Sequence, residues 1–200
     1  MGSGIITKEK ILQAALDVFT HTGYEGARME KIASMVGINK ASLYFHFKSK
    51  EDIFRELFHD ILDKYLSLIK SITEGTKGLE SRKRLTLIYQ QYLDYNIDNL
   101  EMAFWNRIYY AAPEVMRDEI ITATDISRTV FVKALTEVME EGIGRKELKP
   151  MDPGNMAMTY YYLITCIDLS TDMMSKEIAL KEMEQCFDVL WKGIRSEKQG

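Results

Sequence analysis

Between Arg28 and Ile53 the chain reads RMEKIASMVGINKASLYFHFKSKEDI, and no other stretch restricts the fold as tightly. Met29, Ile32, Ala33 and Val36 recur at helical spacing, and Ala41, Leu43, Tyr44 and Phe47 do so in a second segment. Between them, Gly37 can end a helix by turning left-handed, and Asn39 can cap the next one through its side-chain oxygen. Two short crossed helices joined by a tight turn leave Lys40, Ser42, Tyr44, His46, Lys48 and Lys50 outside the core. That arrangement describes a helix-turn-helix (HTH) able to present its second helix to DNA.

The rest of the chain reads as helix too. Only Pro113, Pro150 and Pro153 interrupt it, and no stretch alternates apolar and polar residues between turn signals. The expected fold is all-α with about nine helices. Helix 1 is expected over Thr7 to Thr22, and Ser49 starts a fourth helix, with Asp52 three positions on as in a capping box. A fifth runs to about Asp98 and Asn99 caps a sixth. A long seventh is expected from Pro113 to Glu141, with Gly142-Ile143-Gly144 as its stop. Asp152 before Pro153 is a good start for the eighth, whose Met156–Leu169 stretch is the most apolar in the chain.

Phe19, Gly23-Tyr24, Ile32-Ala33, Val36-Gly37-Ile38 and above all LYFHFKSKE over Leu43–Glu51 resemble the DNA-binding signature of the TetR (tetracycline-repressor-like) family of bacterial transcription regulators. The resemblance is close over the first quarter of the chain and extends further only in helix number and length. It departs at Ala27, where the family commonly has a capping threonine, and at Ala41, where a glycine is common. The Ala41 methyl can meet a thymine methyl or simply favour the helix. The resemblance implies an HTH domain at residues 1–50 and a helical effector-binding and dimerisation domain at 51–200. It also implies a cytoplasmic homodimer on a near-palindromic double-stranded operator, released when a small hydrophobic or aromatic effector pivots helix 4. An activator, or a regulator without an effector, is the alternative.

Charge distribution agrees with a DNA-binding head. The formal charge is −4, but residues 1–50 hold seven Lys/Arg against four Asp/Glu, a net of +3 that leaves −7 for the remainder. Lys40 and Ser42 open the second HTH helix, where base contacts are expected. Tyr44, His46, Lys50 and Arg28 suit phosphates, with Asn39 and Ala41 completing the expected DNA-contacting set. Packing is the other reading of Tyr44.

One such module is too small to select an operator alone, so a paired reader is expected. Met156, Tyr160, Leu163, Ile164 and Ile167, with Phe187, Leu190, Trp191 and Ile194, form apolar stripes suited to a dimer interface or to packing within one protomer. In the middle of the chain, Leu62, Tyr65, Tyr89, Tyr92, Phe104, Trp105, Tyr109, Arg128, Phe131 and Tyr161 are the candidate effector contacts, with core packing as the competing reading.

Other chemistries find little support. His21, His46 and His59 show no metal spacing, and no phosphate loop or nucleophile elbow occurs, so neither a cofactor nor an enzyme is expected. Cys166 and Cys186 read as buried thiols of a reducing compartment, with a redox role as the alternative. Met1-Gly2-Ser3-Gly4 lacks the arginines of a minor-groove arm, and no charge-free apolar run of about 18 residues suggests a membrane partner.

Overall fold

The computed structural model describes residues 2–170 and 174–197, with side chains from Lys8 to Leu169 and from Met174 to Glu197; Met1 of the N-terminal segment lies outside them. Among the described residues there are nine α-helices and no strand. They are α1 (Gly2–Gly26), α2 (Met29–Val36), α3 (Lys40–His46), α4 (Lys50–Glu74), α5 (Ser81–Asn96), α6 (Leu100–Tyr110), α7 (Arg117–Gly144), α8 (Pro153–Ser170) and α9 (Lys176–Ile194). A 3-10 turn at Glu114–Met116 precedes α7.

The starts and stops follow side-chain chemistry at most junctions. Gly37 takes φ 76° and ends α2, its N–H turning back to the Ala33 and Ser34 carbonyls. The Asn39 side chain accepts from the Ser42 N–H at 2.8 Å, and the Ser49 hydroxyl accepts from the Asp52 N–H at 3.0 Å. Asn99 and Asp152 do the same for α6 and α8. At α2 the capping residue is Arg28, with extended backbone and no side-chain bond, while Ala27 beside it is buried. The position that was expected to need a threonine hydroxyl is therefore a packing position here.

Helix 1 breaks at Gly23 (φ 71°, ψ 174°), one residue past its expected end. A Cβ there would meet the Arg107 guanidinium at 3.0 Å, and that guanidinium donates to the Thr20 carbonyl at 3.0 Å. Glycine thus serves both the reversed backbone and the close approach of α6.

The seventh helix corrects its expected bounds. It begins at Arg117, after the 3-10 turn, and runs through Gly142 to Gly144. The end falls within the expected Gly142-Ile143-Gly144 stop, and Gly142 itself serves packing: a Cβ on it would lie 2.6 Å from both the Leu148 Cδ1 and the Ser81 Oγ, so the close approach favours glycine. The left-handed residue that turns the chain is Lys146 (φ 60°).

Two compact units divide the chain, one of residues 1–64 with 98–124, the other of residues 65–97 with 125–200. In the first, α1–α3 close around Ile11, Phe19, Ile32, Leu43 and Phe47, and Phe54, Phe58 and Phe104 extend the buried aromatic core. Ion pairs join Glu119 to Arg55 (3.2 Å) and His59 (2.7 Å) across α4 and α7. In the second unit, Leu85, Ile88, Leu135, Met139, Tyr160 and Phe187 are buried. Its least expected core member is Arg84, 2% exposed, which donates to Glu141 Oε2 (2.7 Å), the Thr73 carbonyl (3.2 Å) and the Thr76 hydroxyl (3.4 Å).

Candidate nucleic-acid interface

The HTH is assembled by α1, α2 and α3, with α2, between the other two in sequence, packed against both. Leu43 and Phe47 anchor α3 inward at 0% and 3% exposure, and the helix period then turns Lys40, Ala41, Tyr44 and Phe45 outward. Arg28, at the head of α2, is exposed as well, while Ser42 and His46 are half-buried. Of the residues expected to face DNA, Arg28, Asn39, Lys40, Ala41 and Tyr44 are exposed.

Electrostatics refine the individual roles. Lys40 is ion-paired with Glu30 on α2, and its Nζ stands 5.8 Å from the Tyr44 ring centroid. The hydrogen bond to Glu30 raises the lysine pKa and lowers that of the carboxyl, so both are charged at neutral pH. A base contact by Lys40 would therefore require it to give up Glu30. Asn39 has its carbonyl oxygen occupied as the α3 cap, which leaves the amide NH2 as its donor to an outside group.

Lys50 departs from its expected role. Its ammonium donates to the Tyr24 carbonyl at 2.6 Å and lies 4.1 Å above the Tyr24 ring, so it fastens the start of α4 to the end of α1 and is not held out toward a phosphate. Conversely, Phe45 is absent from the expected contacts and is 88% exposed on α3, edge-on to His46 at 5.6 Å. A signal was available: Phe45 falls outside the apolar spacing set by Leu43 and Phe47, leaving a large aromatic on the polar face.

The candidate effector residues separate into two groups. Tyr65, Tyr89, Tyr92, Arg128, Phe131 and Tyr161 belong to the second unit, where Phe131 bridges Tyr92 (5.5 Å) and Tyr161 (5.7 Å). Phe104 and Trp105 belong to the first unit and are core: Phe104 packs against Phe54 at 5.2 Å, and Trp105 stacks flat on Phe58 at 5.8 Å. Tyr109 is 54% exposed because α6 buries the face of Met102, Phe104, Trp105 and Ile108 instead. Leu62 is half-buried in the first unit. Tyr89 packs on Phe187 at 5.5 Å, and Arg128 pairs with Asp125 at 2.8 Å.

The stripes expected at a dimer interface are a correction. Met156, Tyr160, Ile164, Ile167, Phe187, Trp191 and Ile194 are 0–9% exposed within the single chain, and Leu163 and Leu190 are half-buried. They join α8 to α9 and α5; the Tyr160 hydroxyl, for example, donates to the Leu85 carbonyl at 2.5 Å. The outward faces carry other apolar residues: Met158, Tyr162 and Leu169 on α8, Ile178 and Val189 on α9. Cys166 and Cys186 lie exposed on these helices, where burial was expected. The apolar pattern of α8 runs around the helix, so its periodicity alone did not separate inner from outer face.

Among the described residues no cluster of His, Cys, Asp and Glu is placed to hold a metal, and no helix is long and apolar enough to cross a membrane. Fold and presented helix together define a helix-turn-helix protein, and residues 11–57 match the bacterial regulatory proteins, tetR family. The HTH-type transcriptional regulator RutR of Escherichia coli (strain K12) is 40% identical over 76 residues, 38% of this chain and 36% of that protein. The biofilm operon icaADBC HTH-type negative transcriptional regulator IcaR of Staphylococcus epidermidis is 34% identical over 116 residues, 56% of this chain and 58% of that protein. The chain thus spans about a third to under three fifths of the length of these relatives. A solved structure, that of a candidate TetR-family transcriptional regulator from Mesorhizobium loti MAFF303099, shares the fold with a TM-score of 0.76 at 18% identity, over 98% of this chain and 100% of that one.

Proposed function

We propose that this chain is a transcriptional repressor that binds a near-palindromic operator as a homodimer and lets go when a small hydrophobic or aromatic effector binds its second unit. The observation that carries the reading is the α3 surface, where Lys40, Ala41, Tyr44 and Phe45 stand exposed on a helix anchored by Leu43 and Phe47. Similarity to IcaR, a negative regulator, favours repression over activation. For the dimer, Met158, Tyr162, Leu169, Ile178 and Val189 offer exposed apolar side chains on two helices packed together. For release, α4 is one helix of 25 residues that starts beside the HTH and ends in the second unit, so a ligand touching Tyr65 acts on the same rod that carries Lys50.

The deciding experiment is a gel-shift competition between the DNA upstream of its own gene and random duplex. Specific retention is expected, and equal competition by random DNA would sink the reading. Sedimentation at micromolar protein should give a dimer, and Tyr162→Glu should shift it toward monomer.

A further inference from the structure

The interior of the second unit gathers hydroxyl, amide and carboxylate groups between aromatic rings. α4 supplies Tyr65, α5 supplies Tyr92 and Asn96, α7 supplies Phe131, and α8 supplies Tyr161 and Asp168. The Tyr65 and Tyr92 rings meet edge-on at 6.3 Å with their hydroxyl oxygens 3.4 Å apart, and Phe131 links Tyr92 to Tyr161. Asp168 follows Tyr161 by two helical turns on the same face of α8 and is 4% exposed. The Tyr160–Leu85 hydrogen bond fixes the register of α8 against α5, and Asp168 and Tyr92 follow it by eight and seven residues.

The carboxylate makes this interior electronegative. Burial raises the pKa of the Tyr65 and Tyr92 hydroxyls, and the nearby Asp168 charge raises both further. Asn96, one turn beyond Tyr92 on the same face of α5, is 6% exposed, and neither its Nδ2 nor its Oδ1 has a hydrogen-bond partner. Buried amides are ordinarily satisfied, so one left open marks a place where a bound polar group can complete the bonding. Aromatic faces carry negative charge density and attract ammonium groups, and an interior carboxylate adds to that attraction while opposing any anion.

We propose that this cluster is a binding site for an organic cation, a quaternary or protonated amine, with Asp168 as counter-ion, Tyr65, Tyr92, Phe131 and Tyr161 as its aromatic walls, and Asn96 as partner for a polar substituent. This names the chemical class of the effector proposed above, and its regulatory meaning rests on that reading.

Calorimetry on the full chain tests it with three probes: benzyltrimethylammonium, choline, and 3,3-dimethylbutan-1-ol, the uncharged carbon isostere of choline. Both cations should bind, with choline at a Kd roughly tenfold or more below that of the alcohol. Asp168→Asn should remove that advantage while leaving the thermal melt cooperative. Tyr92→Phe should retain binding of the cations and Tyr92→Leu should weaken it, since only the second removes the ring face. Equal binding of choline and alcohol, an unaffected Asp168→Asn variant, or no binding of either cation at millimolar concentration would each overturn the proposal. The gel shift is scored separately. Operator release by neutral or anionic compounds but not by cations would refute the cation site and leave the repressor reading standing. Cation binding in a chain that shows no operator preference would do the reverse.

Discussion

Lys50 and Phe45 exchange the roles that their residue types suggest. The ammonium on a basic, DNA-like motif turns inward onto Tyr24, while the apolar ring five positions earlier is left in solvent. An aromatic at 88% exposure contributes almost nothing to folding, so its presence asks for a reason outside the chain. Phe45→Ala should leave the melting temperature within about a degree of the parent, since surface substitutions usually stay within roughly ±0.5 kcal/mol. Operator affinity should nevertheless fall by about tenfold, the order that one lost apolar contact to a sugar or thymine methyl represents. Equal gel-shift affinity for the two proteins would remove Phe45 from the interface. At this scale the sequence was legible where a residue's job is local. Asn39 and Ser49 cap their helices as their types and positions dictate. The partner of Lys50 lies 26 residues away, and no local pattern records such a contact.

Whole helices were more legible than their joints. Leu43 and Phe47 identify the inner face of α3 because their spacing follows the helical period, and Gly37 ends α2 because its left-handed φ suits glycine. Gly142 shows the limit of that logic. A glycine near a helix end reads as a stop, and α7 does end at Gly144, yet the missing side chain of Gly142 makes room for Leu148 and Ser81. Gly142→Ala should therefore destabilise the protein by about 1–3 kcal/mol, the usual cost of overpacking, although alanine is the better helix former. Chemical denaturation reads this directly, and a stabilised variant would remove the packing role. Inner and outer faces of α8 were confused for a related reason: a helix apolar all round has no amphipathic phase to read. Only the packing of Tyr160 against Leu85 and Phe187 tells which side is which.

At the scale of the molecule, polar groups fasten what the apolar cores leave loose. Glu147 accepts from both the N–H (2.7 Å) and the hydroxyl of Ser81. Burial pushes its carboxyl up, but the Ser81 hydrogen bonds and the Arg145 charge outweigh that and bring it net below its usual 4.5. A depressed carboxyl contributes stability that is full above the unfolded pKa and lost as pH falls through the folded one. Melting temperature should thus drop on acidification below about pH 4.5, and Glu147→Gln should be less stable than the parent at pH 7 but show a shallower acid decline. Parallel acid profiles for the two proteins would exclude Glu147 as a contributor. None of this was readable in advance, because Ser81 and Glu147 are 66 residues apart. The basic head and acidic remainder were, since charge balance needs no contact map.

Arg84 has a mechanical consequence for α4. Its guanidinium holds the Thr73 carbonyl and the Thr76 hydroxyl, and so grips the last turn of that helix and the residues just beyond it. A helix of 25 residues is a stiff rod roughly 37 Å long. Cations clamp it at both tips, Lys50 on the Tyr24 carbonyl and Arg84 on the Thr73 carbonyl, so neither end can unwind without first breaking such a bond.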